Sequence, residues 1–129
     1  MNARATLGMV AGALLVLSSA AHGLAGWPPF HHALHDTGAP GDVIAGLRVA
    51  WYFGSVAMLA FGILTLWAAI RVQRGQPVTF EAVQVVAVAY FLFGMVALLT
   101  QDLNLHYLLF IVTGVLVGGF GFWQLLGGR

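Results

Sequence analysis

The chain has no cysteine and no lysine among its 129 residues, and only 7% of them are charged. Without cysteine there is no disulfide framework, no zinc knuckle and no thiol nucleophile. Five arginines against four acidic residues leave a net charge of +1, so there is no basic stripe to follow a nucleic-acid backbone. A soluble domain averages about 25% charged residues. This chain cannot clothe a water-exposed surface, which excludes an ordinary soluble enzyme and a disordered segment alike. What it has in quantity is apolar side chains, 60% of the total. The composition is that of an integral membrane protein.

The apolar residues fall into four runs, predicted to span the bilayer as helices over about 5–24, 43–70, 80–100 and 103–126. Each approaches or exceeds the roughly 20 residues needed to cross about 30 Å of hydrocarbon. They are too long, and too little alternating, for barrel strands of about 9–11 residues, and an open strand in lipid would leave its backbone groups unpaired. The predicted fold class is therefore all-α: a polytopic four-helix transmembrane bundle forming a single domain over 1–129. The first run, with Arg4 before it and Ser19-Ala20-Ala21 near its end, also resembles a secretory signal. Its length exceeds the usual apolar core of about 7–15 residues, so retention as a membrane anchor is expected.

Between the runs the chain carries turn formers. Trp27-Pro28-Pro29 is expected to close the first span, and Pro29 to open a short interfacial helix that Gly38 ends. Asp42 and Thr79 stand where N-caps of the second and third spans belong. Arg71, Arg74, Gly75 and Pro77 separate those two spans, and Gln101-Asp102-Leu103-Asn104 is too short to join anything but antiparallel neighbours. Small residues at Gly8 and Gly12, at Gly46, Ala50 and Gly54, and at Gly114 and Gly118 are expected to pack the chain's own helices together.

With four spans, Arg4, Arg71, Arg74 and Arg129 share one side of the membrane, and only Arg48 lies toward the other. The positive-inside bias then predicts cytoplasmic N- and C-termini in a bacterial-type inner (plasma) membrane. Trp27, Trp51, Tyr52 and Tyr107 belong to an outer aromatic belt, and Trp67 and Trp123 to an inner one.

All five histidines and three of the four acids map to the outer side. Within the short helix, His31 and His35 share a face, and His32 and Asp36 form a second such pair. Imidazoles at this spacing can ligate a metal ion such as Zn²⁺ or Cu²⁺, with a carboxylate completing or orienting the set. The plainer alternative is an interfacial helix whose histidines face water and headgroups. His22 and His106 lie at similar depth on different spans and could hold a haem axially, or each could simply bond a backbone carbonyl. Arg48, more than a turn inside its span, is expected to pair with Asp102 or Asp42, or to bind an anionic head. The centre of the membrane holds no formal charge, which counts against an ion-coupled pump.

No nucleophile–base pair, close carboxylate dyad or phosphate loop is present. The leading expectation is a non-catalytic accessory or structural subunit that packs against a larger membrane complex or against itself. The alternative is a membrane protein that binds a metal ion, haem, quinone or lipid head through the outer His/Asp/Arg cluster. A minimal oligomeric transporter or channel stands third.

Overall fold

In the computed structural model, which describes residues 2–123 and 125, all regular structure is helical and no strand occurs among the described residues. Helix α1 spans Ala3–Ala20, passes through a π-helical segment Ala21–Gly26, and continues as α2, Trp27–Asp36. Helix α3 spans Gly41–Gln73 and α4 Glu81–Thr100; a 3₁₀ turn Leu105–Tyr107 leads into α5, Leu108–Gly121. Three helical stretches are long and apolar enough to cross a membrane: Ala3–Asp36, Gly41–Gln73 and Glu81–Thr100. The fourth, Leu105–Gly121, is apolar but shorter. Residues 124 and 126 of the expected fourth span, and Arg129 of the expected inner side, lie outside the described residues.

The short helix after the first span forms, but no loop separates it from that span. Pro28 and Pro29 have no N–H to give the carbonyls four residues back, Leu24 and Ala25, and an α-helical register there would press each ring onto its carbonyl. The π turn just before them widens the helix by one residue and lets the chain continue without a break. Termination comes instead at Gly38, whose φ of 72° is open to glycine at little cost. Its N–H donates to the His35 carbonyl and that of Ala39 to Leu34, the paired bonds of a Schellman close. Gly75, at φ 64°, ends α3 in the same way, with Gln76 donating to Arg71. The expected N-caps move slightly: Pro40 and Phe80 hold those positions, and Asp42 and Glu81 lie in the first turns, where a carboxylate suits the helix dipole.

Two antiparallel hairpins make up the fold. In the first, α1 lies along α3, with Gly12 against Leu66, Val16 against Gly62 and Gly23 against Ser55. A Cβ on Gly12 would come within 2.8 Å of the Leu66 backbone nitrogen, so these helices touch backbone to backbone. Ser19 Oγ donates to the Ser55 carbonyl at 2.7 Å across the same seam. In the second, α4 lies along α5, where Gly94 meets Ile111 and Gly114 meets Phe91. Gly8, Gly12 and Gly114 thus pack within the chain as expected. The ridge on α3 does not: among the described residues nothing approaches Gly46, Ala50 is exposed, and only Gly54 turns toward another helix, near His22. With 33 residues, α3 is about 50 Å long at 1.5 Å per residue, against about 30 Å for the 20 residues of α4, so its first turns extend past the second hairpin, while α2 ends only a short turn away from them.

The hairpins are joined at the end that carries Arg4, Arg71 and Arg74. There the Arg4 guanidinium lies 3.9 Å from the Phe80 ring centroid, and its Nε donates to the Phe120 carbonyl. Phe120 is fully buried and fills the space over Gly8. Gln84 Nε2 donates to the Gly121 carbonyl, and Arg71 lies over the Trp67 ring at 4.8 Å. The core runs through Ala11, Leu15, Ala69, Val83, Val86 and Val117. Toward the histidine-bearing end the hairpins part, and a cleft lies between them.

Candidate functional site: a cleft between the two hairpins

The cleft has a volume of about 360 Å³ and draws its walls from both hairpins. His22, Trp51 and Met58 come from the first; Tyr90, His106 and Phe110 come from the second. His22 sits in the π turn, and its ring stacks on Trp51 with centroids 4.1 Å apart and planes 9° from parallel. The Trp51 Nε1–H donates to the His22 carbonyl at 2.8 Å, so one residue of α3 holds both the backbone and the ring of this histidine. Phe30 of α2 also stacks with Trp51, at 4.9 Å. This approach requires glycine at position 26, where a Cβ would come within 2.8 Å of the indole.

The facing wall is built on Tyr90, whose ring stacks with Phe110 at 5.9 Å and meets Phe61 edge-on. Tyr90 is 7% exposed, and its hydroxyl is buried with no hydrogen-bond partner among the described residues. A buried hydroxyl without a partner is costly and uncommon in native proteins. His106 reaches the cleft from the 3₁₀ turn. It follows a tight connection in which Asp102 and Leu103 both take positive φ, 50° and 56°. For leucine that region is strained. The Asn104 side chain secures the turn by accepting from the His106 backbone N–H.

A second cavity of about 260 Å³ adjoins the first and shares His22, Met58, Tyr90 and Phe110 with it. Its remaining lining, which includes Gly54, Phe61, Ala89 and Phe93, is apolar.

The structure therefore brings His22 and His106 to one cavity and leaves the other candidate residues apart from it. Arg48 is exposed on the projecting part of α3, and no hydrogen bond joins it to Asp102 or Asp42 among the described residues. Asp102 is exposed in the turn after α4. His31, His32, His35 and Asp36 all lie on exposed positions of α2, with the His31 and His32 rings 6.2 Å apart. Among the described residues, no group of three or more His, Asp or Glu side chains converges as a metal ion requires.

Trp51 and Tyr90 carry more of the site than the sequence suggested. Trp51 reads in the sequence as a belt residue and Tyr90 as one neutral group among several. The only sequence signal for Tyr90 is its position as a hydroxyl-bearing side chain in the middle of an otherwise apolar run. No protein-family model matches the chain, and neither a curated protein nor a solved structure matches it.

Proposed function

We propose that this is a multi-pass inner-membrane protein, with N- and C-termini cytoplasmic, whose cleft holds a small ligand drawn from the bilayer. The observation that carries the reading is the convergence of His22 and His106, from the first and last helices, on one aromatic-walled cavity. Ligand pockets are typically apolar, with a few convergent polar groups, and lie between helices in bundles. The partnerless Tyr90 hydroxyl adds to this, since a ligand that accepts from it would remove a standing cost. These features favour ligand binding over the accessory-subunit reading, for which the bare first turns of α3 are the main support. The proposed role is to bind and present the ligand.

The test is native mass spectrometry of the protein released from lipid discs. A small-molecule adduct is expected on the unaltered chain and is expected to be lost in Ala25→Trp. Ala25 lines the cleft at an exposed position, where an indole fills the cavity without entering the core. An adduct retained by Ala25→Trp, or never seen, would count against the site.

Sidedness has its own test, made simple by the lack of native cysteine. Single cysteines at His32 and Arg74 are expected to react with an impermeant maleimide from opposite faces of oriented vesicles. Labelling of both from the same face would overturn the proposed threading.

A further inference from the structure

The chemistry of the cleft is narrower than that of a general small-molecule pocket. Among the described residues, no Arg, Asp or Glu lines either cavity. Arg4 and Arg71 are engaged on aromatic rings at the far end of the bundle, and Arg48 is exposed outside the cleft. A phosphate headgroup, a carboxylate or the propionates of a haem would lose water here and meet no permanently charged cation, only imidazoles that would have to take up a proton in a largely apolar cleft, an expensive exchange. The cleft therefore favours a neutral head.

Its shape follows from the walls. The His22–Trp51 stack comes from one hairpin and the Tyr90–Phe110 stack from the other. Aromatic walls on two sides favour a flat ring between them.

Its polarity follows from which groups are still uncommitted. The Trp51 N–H is already given to the His22 carbonyl and the Thr113 hydroxyl to the Leu109 carbonyl. The side chains of Ser18, His22, Tyr90 and His106 make no hydrogen bond among the described residues, and each has a proton to donate when neutral. The matching head carries acceptors, one toward the histidines and one toward Tyr90. The adjoining apolar cavity offers room for a hydrocarbon tail beside that head.

We propose that the cleft binds a quinone, its ring held between the two aromatic stacks, its carbonyls accepting from His106 and from Tyr90, and its alkyl tail lying in the adjoining apolar cavity. This rests on the reading of the cleft as a ligand site and specifies its ligand.

The experiment uses the full chain in lipid nanodiscs, titrated separately with a decyl-tailed dimethoxy-methyl-benzoquinone and with haemin. Tryptophan fluorescence is followed for the first probe and visible absorption for the second. The expected result is saturable quenching by the quinone that weakens in Trp51→Phe, with Trp27, 6.0 Å from Trp51, accounting for what remains. The midpoint should rise about tenfold in Tyr90→Phe and in His106→Phe, the effect of losing one hydrogen bond of ordinary strength. His106 is exposed and lies outside the packed core, so His106→Phe keeps the test meaningful if Tyr90→Phe alters folding.

Saturable quenching that is indifferent to both substitutions would overturn the proposed head-group contacts. Saturable haemin binding with a bis-imidazole spectrum, and no saturable quinone signal, would overturn the quinone while leaving the cleft a ligand site. Failure of both probes on protein of full helical content, with no adduct by mass spectrometry, would overturn the quinone and the ligand site together.

Discussion

Replacing Gly62 by leucine should separate α1 from α3 and destabilise the fold far more than the same replacement on a bare face of α3. A Cβ at that position would lie 2.9 Å from the Val16 backbone nitrogen and 3.1 Å from the Gly12 carbonyl oxygen. Side chains can rotate out of the way, but these are backbone atoms of a helix, so the whole helix must move. Overpacking in a tight core commonly costs about 1–3 kcal/mol and sometimes more. The high end is expected for Gly62→Leu, because both clashes are with backbone that no rotamer change relieves. The movement would also strain the Ser19–Ser55 and Trp51–His22 hydrogen bonds on the same seam.

The measurement is a denaturation midpoint in mixed micelles, with Gly46→Leu as the reference. Gly46 lies on the same helix with nothing near its Cβ position, so its change should stay within about 0.5 kcal/mol. Equal midpoints for the two variants would refute the close packing of α1 on α3.

Tyr90→Phe is expected to act in opposite directions on stability and on binding. Without ligand, the hydroxyl is buried and unpaired, and its removal leaves the ring stacks with Phe110 and Phe61 in place. An unsatisfied buried polar group costs about 1–3 kcal/mol, so the ligand-free variant should be more stable by roughly 1 kcal/mol or more once partial relaxation is allowed for. The same substitution should weaken retention of the bound ligand. A residue that served packing alone would show no such opposition. If Tyr90→Phe lowered the denaturation midpoint of ligand-free protein, its hydroxyl would have a partner in the native state and the reading of the cleft would change with it.

Much of the fold was legible in the sequence, and the parts that were not have a common cause. The helical runs and their breaks at Gly38, Gly75 and 101–104 follow from local chemistry: a polar backbone flanked by apolar side chains must bond to itself, and a left-handed turn favours glycine. The helix through His31–Asp36 was visible for the same reason. Its fusion to α1 was not, because a Pro-Pro pair reads as a stop and the π turn that absorbs it leaves no composition signal. The expected pairing of Arg48 failed because span length alone does not say how far α3 projects past its neighbours.

The candidate site divides along the same line. That His22 and His106 belong to one end of the bundle could be read from span order. That they line one cleft, that Trp51 holds the first of them, and that Tyr90 has no partner could not.

The sequence by itself determined that the chain is helical and apolar, where its helices break, and which end carries the imidazoles. Those outcomes depend on hydrogen bonding and backbone freedom within a few residues of each position. Only the tertiary structure decided which glycines bring helices into contact, which lie bare, and where the hairpins part to leave a cavity. Those depend on the rotation of each helix about its axis, which is set by the simultaneous fit of backbones distant in the chain and not by any local run of residues.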